Sequence, residues 1–390
     1  MTITVVCDVL GEENNGTTIA AMNLIRFLKS QGHTVRVLCA DQNRKGEAGF
    51  FVVPNYNFPK IIDSYIKKVG VTLAKPDEDI VRTTIKGSDA VHVMIPLMLG
   101  MFATKIANEY NIPVTAGFHM QAENFTSHFK VNRVKFINTY VYKFIWKHMY
   151  SHVNAIHYPT KFIRDTFESR IKIHTNGYVI SNGVNSYVQK RDIPKPIELK
   201  DKIVILTIGR YAREKSQDTL IKAIKYSKHK NKIQLILGGQ GAKEKYYKRL
   251  AKSLPIKPIF KFYSRKDIID VLNFADIYAH PAEVELEGIA CLEAIACGKL
   301  TIVSDSKLSA TKEFAVDEKC IFKNRNPRSL AKVIDYWIEH PEEKKIYEQK
   351  YLESAITFNQ EECMKRMEDM IFEVVSESKQ NNENKKTEEN

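Results

Sequence analysis

Short apolar runs recur along this chain, and each ends in a polar loop that leads into a helical pattern. Thr2–Cys7 is the first of them, closed by Asp8. A loop holding Asn14-Asn15-Gly16-Thr17 follows, and Ile19, Met22, Leu24, Phe27 and Leu28 then recur at helical spacing as far as Gly32. Thr34–Cys39 is the next run. Strand, loop, helix and strand in that order form a crossover unit of the parallel, doubly wound kind. The alternation continues through Ala90–Met94, Pro113–Phe118 and Asn154–Tyr158, and again through Ile203–Ile208, Ile233–Leu237, Phe260–Tyr263, the segment from Ile277, and Leu300–Val303. The expected class is therefore α/β, with ligands held at the carboxyl ends of the strands.

A chain of 390 residues has room for two such sheets, each with its own core. Residues 189–202, QKRDIPKPIELKDK, are charged, hold two prolines and have little apolar content, so they are expected to link a domain at 1–188 to one at 203–355. A last helix is expected within 356–375, where Cys363, Met367, Met370, Ile371 and Val374 are apolar. The tail 376–390 is polar throughout and is expected to be disordered.

The formal charge of +13 predicts attraction to something anionic, such as a phosphorylated substrate, nucleic acid or anionic lipid. Six cysteines are scattered without a CxxC pair or Cys/His ligand spacing, which points to neither a metal site nor a disulfide framework. The opening MTITVVCDV reads as a first core strand, not as a signal peptide, and no apolar stretch approaches a membrane span. The expected location is cytoplasmic, at most peripheral on the inner face of the cell membrane.

The stretch His280–Lys299, HPAEVELEGIACLEAIACGK, concentrates the chemistry. Seven residues separate Glu285 from Glu293, and Ile289, Leu292, Ile295 and Ala296 recur at helical spacing after Gly288. A helix starting near Ile289 aims free backbone N–H groups at whatever precedes it, a cradle for a diphosphate. Ionised glutamates beside that cradle can accept paired hydrogen bonds from vicinal sugar hydroxyls. In Gly209-Arg210-Tyr211-Ala212-Arg213-Glu214-Lys215, Arg210 and Lys215 follow a strand in a loop and can neutralise a diphosphate, with Gly209 allowing close approach. His119 directly follows the strand Pro113–Phe118, at the edge where such sheets work.

Glu285-x7-Glu293, continued by Ala294-Ile295-Ala296-Cys297-Gly298, resembles the signature of retaining glycosyltransferases of family 4. That resemblance covers nearly all of residues 1–375. It implies the GT-B fold, two doubly wound Rossmann-like domains facing across a cleft, with the last helix crossing back to the first domain. It implies a UDP-sugar donor whose sugar meets Glu285 and whose ribose meets Glu293. Arg210 and Lys215 would hold the diphosphate, with Gly288 and Ile289 at the helix opening and Gly239 beside the nucleotide. His119 would lie near the donor sugar, and Gly16 is what remains of a Gly-rich loop approaching the donor phosphates. His119, Arg210, Lys215 and Glu285 are thus the expected catalytic residues, with no metal required. The chain departs from the family's pattern at Ser216, where glycine is usual, at Glu287, where an apolar residue is common, and in the loop around Gly16.

Residues 129–150 place Val134, Ile137, Val141 and Ile145 on one helical face. Arg133, Lys135, Lys143 and Lys147 are interleaved with Phe136, Tyr140 and Trp146 on the other. Cations among exposed aromatics suit an anionic bilayer surface. With the positive charge, the expectation is a hexosyltransferase acting on a membrane lipid, similar to diacylglycerol glucosyltransferases, with no nucleic acid as partner. A lipid-linked saccharide acceptor, a sugar-nucleotide epimerase of the same fold and a non-catalytic binder stay open.

Overall fold

The computed structural model describes residues 1–11, 16–56, 74–123 and 134–388. They fall into two compact units. Met1–Ala122, Arg133–Asn182 and Cys363–Asn390 build the first, and Gly183–Glu362 the body of the second.

The first unit is one parallel sheet in the order β3-β2-β1-β4-β5-β6-β7, from Thr2–Cys7 (β1), Thr34–Cys39 (β2), Phe50–Val52 (β3), Ala90–Val93 (β4), Val114–Gly117 (β5), Ala155–Tyr158 (β6) and Gly177–Val179 (β7). Helices Gly16–Ser30 (α1), Glu78–Ile85 (α2), Met98–Glu109 (α3), Lys135–His148 (α4) and Lys161–Ile171 (α5) connect them. Strands buried on both faces read as nearly continuous apolar runs, and Ile3, Val5, Val6 and Cys7 of β1 are fully buried. Strand order reverses between β1 and β4, which pair Ile3 with Ala90. At that reversal Asp8 ends β1 and accepts hydrogen bonds from the N–H groups of Leu99 (2.8 Å) and Gly100 (3.1 Å) in the first turn of α3. Burial pushes its carboxyl up to about 7 against the pull of those two bonds.

Three histidines crowd the same sheet. His92 of β4 places Nδ1 2.8 Å from the Thr115 hydroxyl, and His157 of β6 places Nε2 2.6 Å from the Ile180 carbonyl. His119 follows β5, its ring 5.4 Å from that of His157. The remaining nitrogens, Nε2 of His92 and His119 and Nδ1 of His157, are shielded and have no hydrogen-bond partner among the described residues. Burial, then the neighbouring imidazoles, hold His119 well below the usual range and His92 at about 3; burial also holds His157 at about 4.

The second unit repeats the plan in the order β10-β9-β8-β11-β13-β15, from Ile203–Ile208 (β8), Ile233–Gly238 (β9), Ile259–Lys261 (β10), Ile277–His280 (β11), Thr301–Ser304 (β13) and Ile321–Phe322 (β15). Val284–Glu285 (β12) and Leu308–Ser309 (β14) form a separate two-residue ladder. Its helices are Gln217–Tyr226 (α6), Glu244–Ala251 (α7), Arg265–Phe274 (α8), Ile289–Ala296 (α9), Pro327–Glu339 (α10) and Pro341–Ser354 (α11). Both sheets are parallel and doubly wound, as the alternation of runs predicts.

Two boundaries differ from expectation. Residues 189–202 are not a free linker: the division falls after Asn182, and the stretch is held on the second unit. Leu199 is buried in that core, Lys195 pairs with Asp276 at 2.5 Å, and the Arg191 N–H donates to Asn273 at 2.7 Å. A few anchoring contacts hold a chain that lacks apolar periodicity. The tail is not irregular either, since the last helix, Gln360–Glu388 (α12), continues through it. Glu, Lys and Gln are good helix formers, so a turn already nucleated by packing propagates. From Cys363 onward α12 belongs to the first unit, where Met364, Met367, Met370, Ile371 and Val374 enter its core.

Helix α4 also differs in detail. Phe136, Tyr140 and Phe144, at i, i+4 and i+8, are 75%, 71% and 45% exposed, with Lys143 and Lys147 exposed beside them. Trp146, expected on the open face, is half-buried with its ring 6.3 Å from Phe167. Arg133 and the Lys135 side chain lie outside the described residues, as do Asn14, Asn15 and Asn124.

Above pH 6.5 the three imidazoles are neutral whether folded or not. As pH falls from 6.5 towards 4, the unfolded chain binds protons that the folded chain refuses, so stability falls. Each histidine contributes about 1.4 kcal/mol per pH unit. Asp8, with its folded value raised, works against this over pH 4–7, offsetting one of the three. His157→Gln should therefore lose less stability on acidification than the wild type, by about 1.4 kcal/mol per pH unit in urea titrations. Parallel pH profiles for the two proteins would refute this account.

Candidate functional site

Strand order in the second sheet reverses between β8 and β11, which pair Ile277 with Ile205. Loops leaving such neighbours splay to opposite faces and open a crevice at the carboxyl edge. The β8 loop carries Arg210 and Lys215, and the β11 end carries His280 and Glu285. The backbone of the β8 loop is pinned to the next loop, with Gly209 N–H donating to Gly238 O at 2.9 Å and Tyr211 N–H to Gln240 O at 2.8 Å. That close approach requires glycine at 239. Its φ is +148°, and a Cβ there would lie 2.1 Å from the Gly209 carbonyl oxygen.

The structure brings Lys215 and Glu285 together as an ion pair, with side chains 19% and 12% exposed. The same Glu285 oxygen, Oε2, lies 3.1 Å from His280 Nε2. His280 is buried and held in turn by the Tyr278 hydroxyl, 3.2 Å from Nδ1. Burial raises the Glu285 carboxyl, but the Lys215 ammonium and His280 outweigh it and hold it at about 2. Glu285 is thus an ionised acceptor with one oxygen engaged.

Gly288, at φ +88°, turns the chain into α9, and a Cβ there would meet Thr311 Cγ2 at 2.7 Å. Cys291 and Leu292 donate back to its carbonyl, so α9 begins at Ile289. Glu293, one turn in, is buried and pairs with the half-exposed Arg265, Nη1 to Oε1 2.8 Å. Burial raises its carboxyl, partly opposed by Arg265. Arg210 pairs with the buried Glu214 at 2.9 Å, and its own side chain is 53% exposed. The Glu283 N–H donates to the Glu214 carbonyl at 2.8 Å, tying the β11 loop to the β8 loop.

Arg210, Lys215, Gly209, Gly239, Glu285, Gly288, Ile289 and Glu293 therefore share the second unit's carboxyl edge. His119 and Gly16 belong to the first unit. His119 follows β5 at that sheet's carboxyl edge, and Gly16 opens α1. Glu287, where the family commonly has an apolar residue, is buried. Gln121 and Glu123 are buried as well. Sequence reasoning missed His280, Tyr278 and Arg265 as partners of the two glutamates. The one available signal was a histidine at a strand's carboxyl end. Among the described residues no group of His, Cys, Asp and Glu is arranged to hold a metal ion.

Residues 14–186 match the family described as Glycosyltransferase Family 4, and residues 188–352 match Glycosyl transferases group 1. The chain belongs to glycosyltransferase family 4. An alpha-monoglucosyldiacylglycerol synthase of Streptococcus pneumoniae is 22% identical over 301 residues, 73% of this chain and 66% of that protein. A GDP-mannose-dependent alpha-(1-6)-phosphatidylinositol dimannoside mannosyltransferase of Mycobacterium tuberculosis is 27% identical over 141 residues, 36% of each chain. The chain thus spans just under two thirds of the first of these relatives and about a third of the second. The Anabaena protein HepE, solved with UDP and glucose, superposes with a TM-score of 0.70 at 15% identity, covering 96% of this chain and 100% of that one. At that identity the likeness establishes the GT-B fold.

Gly239→Ala should destabilise this family 4 chain by about 1–3 kcal/mol, read as a lower urea midpoint, because the added methyl overlaps a backbone oxygen. Gly16 has no described atom within 4 Å of a built Cβ and no positive φ. Gly16→Ala should shift the same midpoint by less than about 0.5 kcal/mol. Equal shifts for the two variants would contradict this distinction.

Proposed function

We propose that the chain is a retaining glycosyltransferase moving a hexose, with glucose as the leading choice, from a UDP-sugar to a membrane lipid such as diacylglycerol. The observation that carries the reading is Lys215 and His280 converging on Glu285 beside the opening of α9. A diphosphate at that opening would compete with Glu285 for the Lys215 ammonium. The freed carboxylate oxygen, still ionised and still steadied by His280, would accept from a sugar hydroxyl. Arg210, Lys215 and the first N–H groups of α9 would stabilise the charge gathering on the leaving diphosphate. Glu293 would take the ribose hydroxyls in place of Arg265. The bond from the anomeric carbon to the phosphate oxygen breaks, the acceptor oxygen bonds the same face, and the departing phosphate takes the acceptor's proton. His119 would contribute from the first unit, by contact with the donor sugar, and Gly16 by admitting the donor phosphates.

The lipid acceptor is supported by two observations. The exposed line of Phe136, Tyr140 and Phe144 with Lys143 and Lys147 suits a surface that is apolar inside and anionic outside. The named relatives also act on lipids, as glucosyldiacylglycerol and phosphatidylinositol dimannoside enzymes. Among the described residues no helix is long and apolar enough to cross a membrane, so surface attachment through α4 is the mode proposed.

Incubating the protein with radiolabelled UDP-glucose and diacylglycerol liposomes should move label into the organic phase. Lys215→Ala should lower that rate about 10²–10³-fold without unfolding the chain. Wild-type rates in Lys215→Ala would remove the assignment of the site, and label confined to water-soluble product would remove the lipid acceptor. Separately, replacing Phe136, Tyr140 and Phe144 with serine should abolish flotation with anionic vesicles at low salt. Undiminished flotation would exclude α4 as the membrane contact.

A further inference from the structure

The second unit carries another cationic hollow, apart from the donor residues. It is a cavity of about 410 Å3 whose walls include Arg213, Asp218, Lys222, Lys243, Tyr246 and Arg325. None of Arg210, Lys215, Glu285 or Glu293 lines it. Its cations come from separate pieces of chain: the β8 loop, helix α6, the residue before α7 and the turn before α10.

Two of the four are already neutralised. Lys222 pairs with Asp218 at 2.9 Å, and Arg325 pairs with the buried Glu283. Arg213 and Lys243 have no carboxylate within ion-pair distance among the described residues. Lys243 instead sits over the Tyr246 ring, 5.6 Å from its centroid. Like charges gathered around one hollow repel, and the carboxylates Asp218 and Glu283 are engaged by the other two cations.

The backbone is costly at the same place. Among the described residues only Asn111, Lys172, Ser216 and Arg325 adopt positive φ without being glycine. Ser216 (φ +51°) and Arg325 (φ +56°) both line this cavity. Strained turns persist where the surroundings over-determine them, and such turns cluster at ligand sites.

We propose that this cavity is a second anion site, which binds a phosphate group carried by a small metabolite or by a lipid headgroup. The Arg213 guanidinium supplies a planar fork of donors and Lys243 a point charge, the complementary pair for a tetrahedral anion. The half-buried Tyr246 ring offers a wall for the body of the molecule. The volume falls in the range of sites that enclose a small ligand. None of the donor residues lines the cavity, so the proposal has both sites filled at once, and it stands whatever sugar or acceptor the donor site serves.

The test saturates the full chain with UDP and then titrates inorganic pyrophosphate, followed by calorimetry. A parallel arm measures co-sedimentation with vesicles containing phosphatidic acid. The double variant Arg213→Ala/Lys243→Ala is compared with Lys230→Ala/Lys252→Ala, which removes equal charge from exposed positions outside the cavity. Binding in at least one arm, weakened about tenfold or more by the first pair and little by the second, is the expected result. The arm that responds identifies a soluble or a lipid phosphate. Pyrophosphate and vesicle binding equal in both variants, or blocked by UDP in the wild type, would overturn the proposal. Loss of UDP affinity in the first pair would also overturn it, by placing Arg213 and Lys243 in the donor site.

Discussion

Lys215 and Glu285 lie 70 residues apart and still meet, because the strands they follow are neighbours in the sheet. That adjacency is the condition for everything chemical in the second unit. It sets a loop of cations against a loop of carboxylates at one edge, where the backbone of α9 adds its own free donors. A partly buried pair of this kind adds little stability, since desolvation cancels most of the attraction. Its value lies in holding both groups charged in a confined place, ready to be shared with a ligand.

The two glutamates of the motif meet different electrostatics. Glu285 faces an ammonium and an imidazole and is held ionised at about 2. Glu293 is equally shielded but has one half-exposed guanidinium, and burial wins. The two glutamates lie eight positions apart in sequence, and the same residue type has been given two behaviours by its surroundings. The first unit takes the opposite course. Its three imidazoles are kept neutral by burial, with ring nitrogens that no described atom satisfies. Asp8, also buried, is pushed towards neutrality at the reversal point of that sheet.

Local pattern was enough to read the strands. Thr2–Cys7 and Ile203–Ile208 were legible to the residue because both faces of a central parallel strand are apolar. The helix opening at Ile289 was legible because Gly288 precedes an apolar period. The partners of the glutamates were not, because apolar periodicity does not say which distant polar side chain will face a given carboxylate. His280, Tyr278 and Arg265 come from the end of one strand and the start of a helix, and only the strand order gathers them. Trp146 left the expected open face for a related reason. A helical wheel fixes the angular separation of the aromatics, but Phe167, from the following helix, decides that Trp146 is covered. The run at 189–202 lacked apolar spacing and still packed, through Leu199 and a few polar anchors.

Helix α12 carries a consequence for biosynthesis. The first unit's core is completed by Met364, Met367, Met370 and Ile371, which are translated after the whole second unit. While the ribosome is still making residues 183–362, the early sheet must wait with an apolar face exposed. The body of the second unit, one continuous run from Gly183 to Glu362, can mature first, although it is made later. A truncation near residue 182, the natural place to cut for a single-domain fragment, would thus leave the amino-terminal half permanently unfinished, and sticky to chaperones.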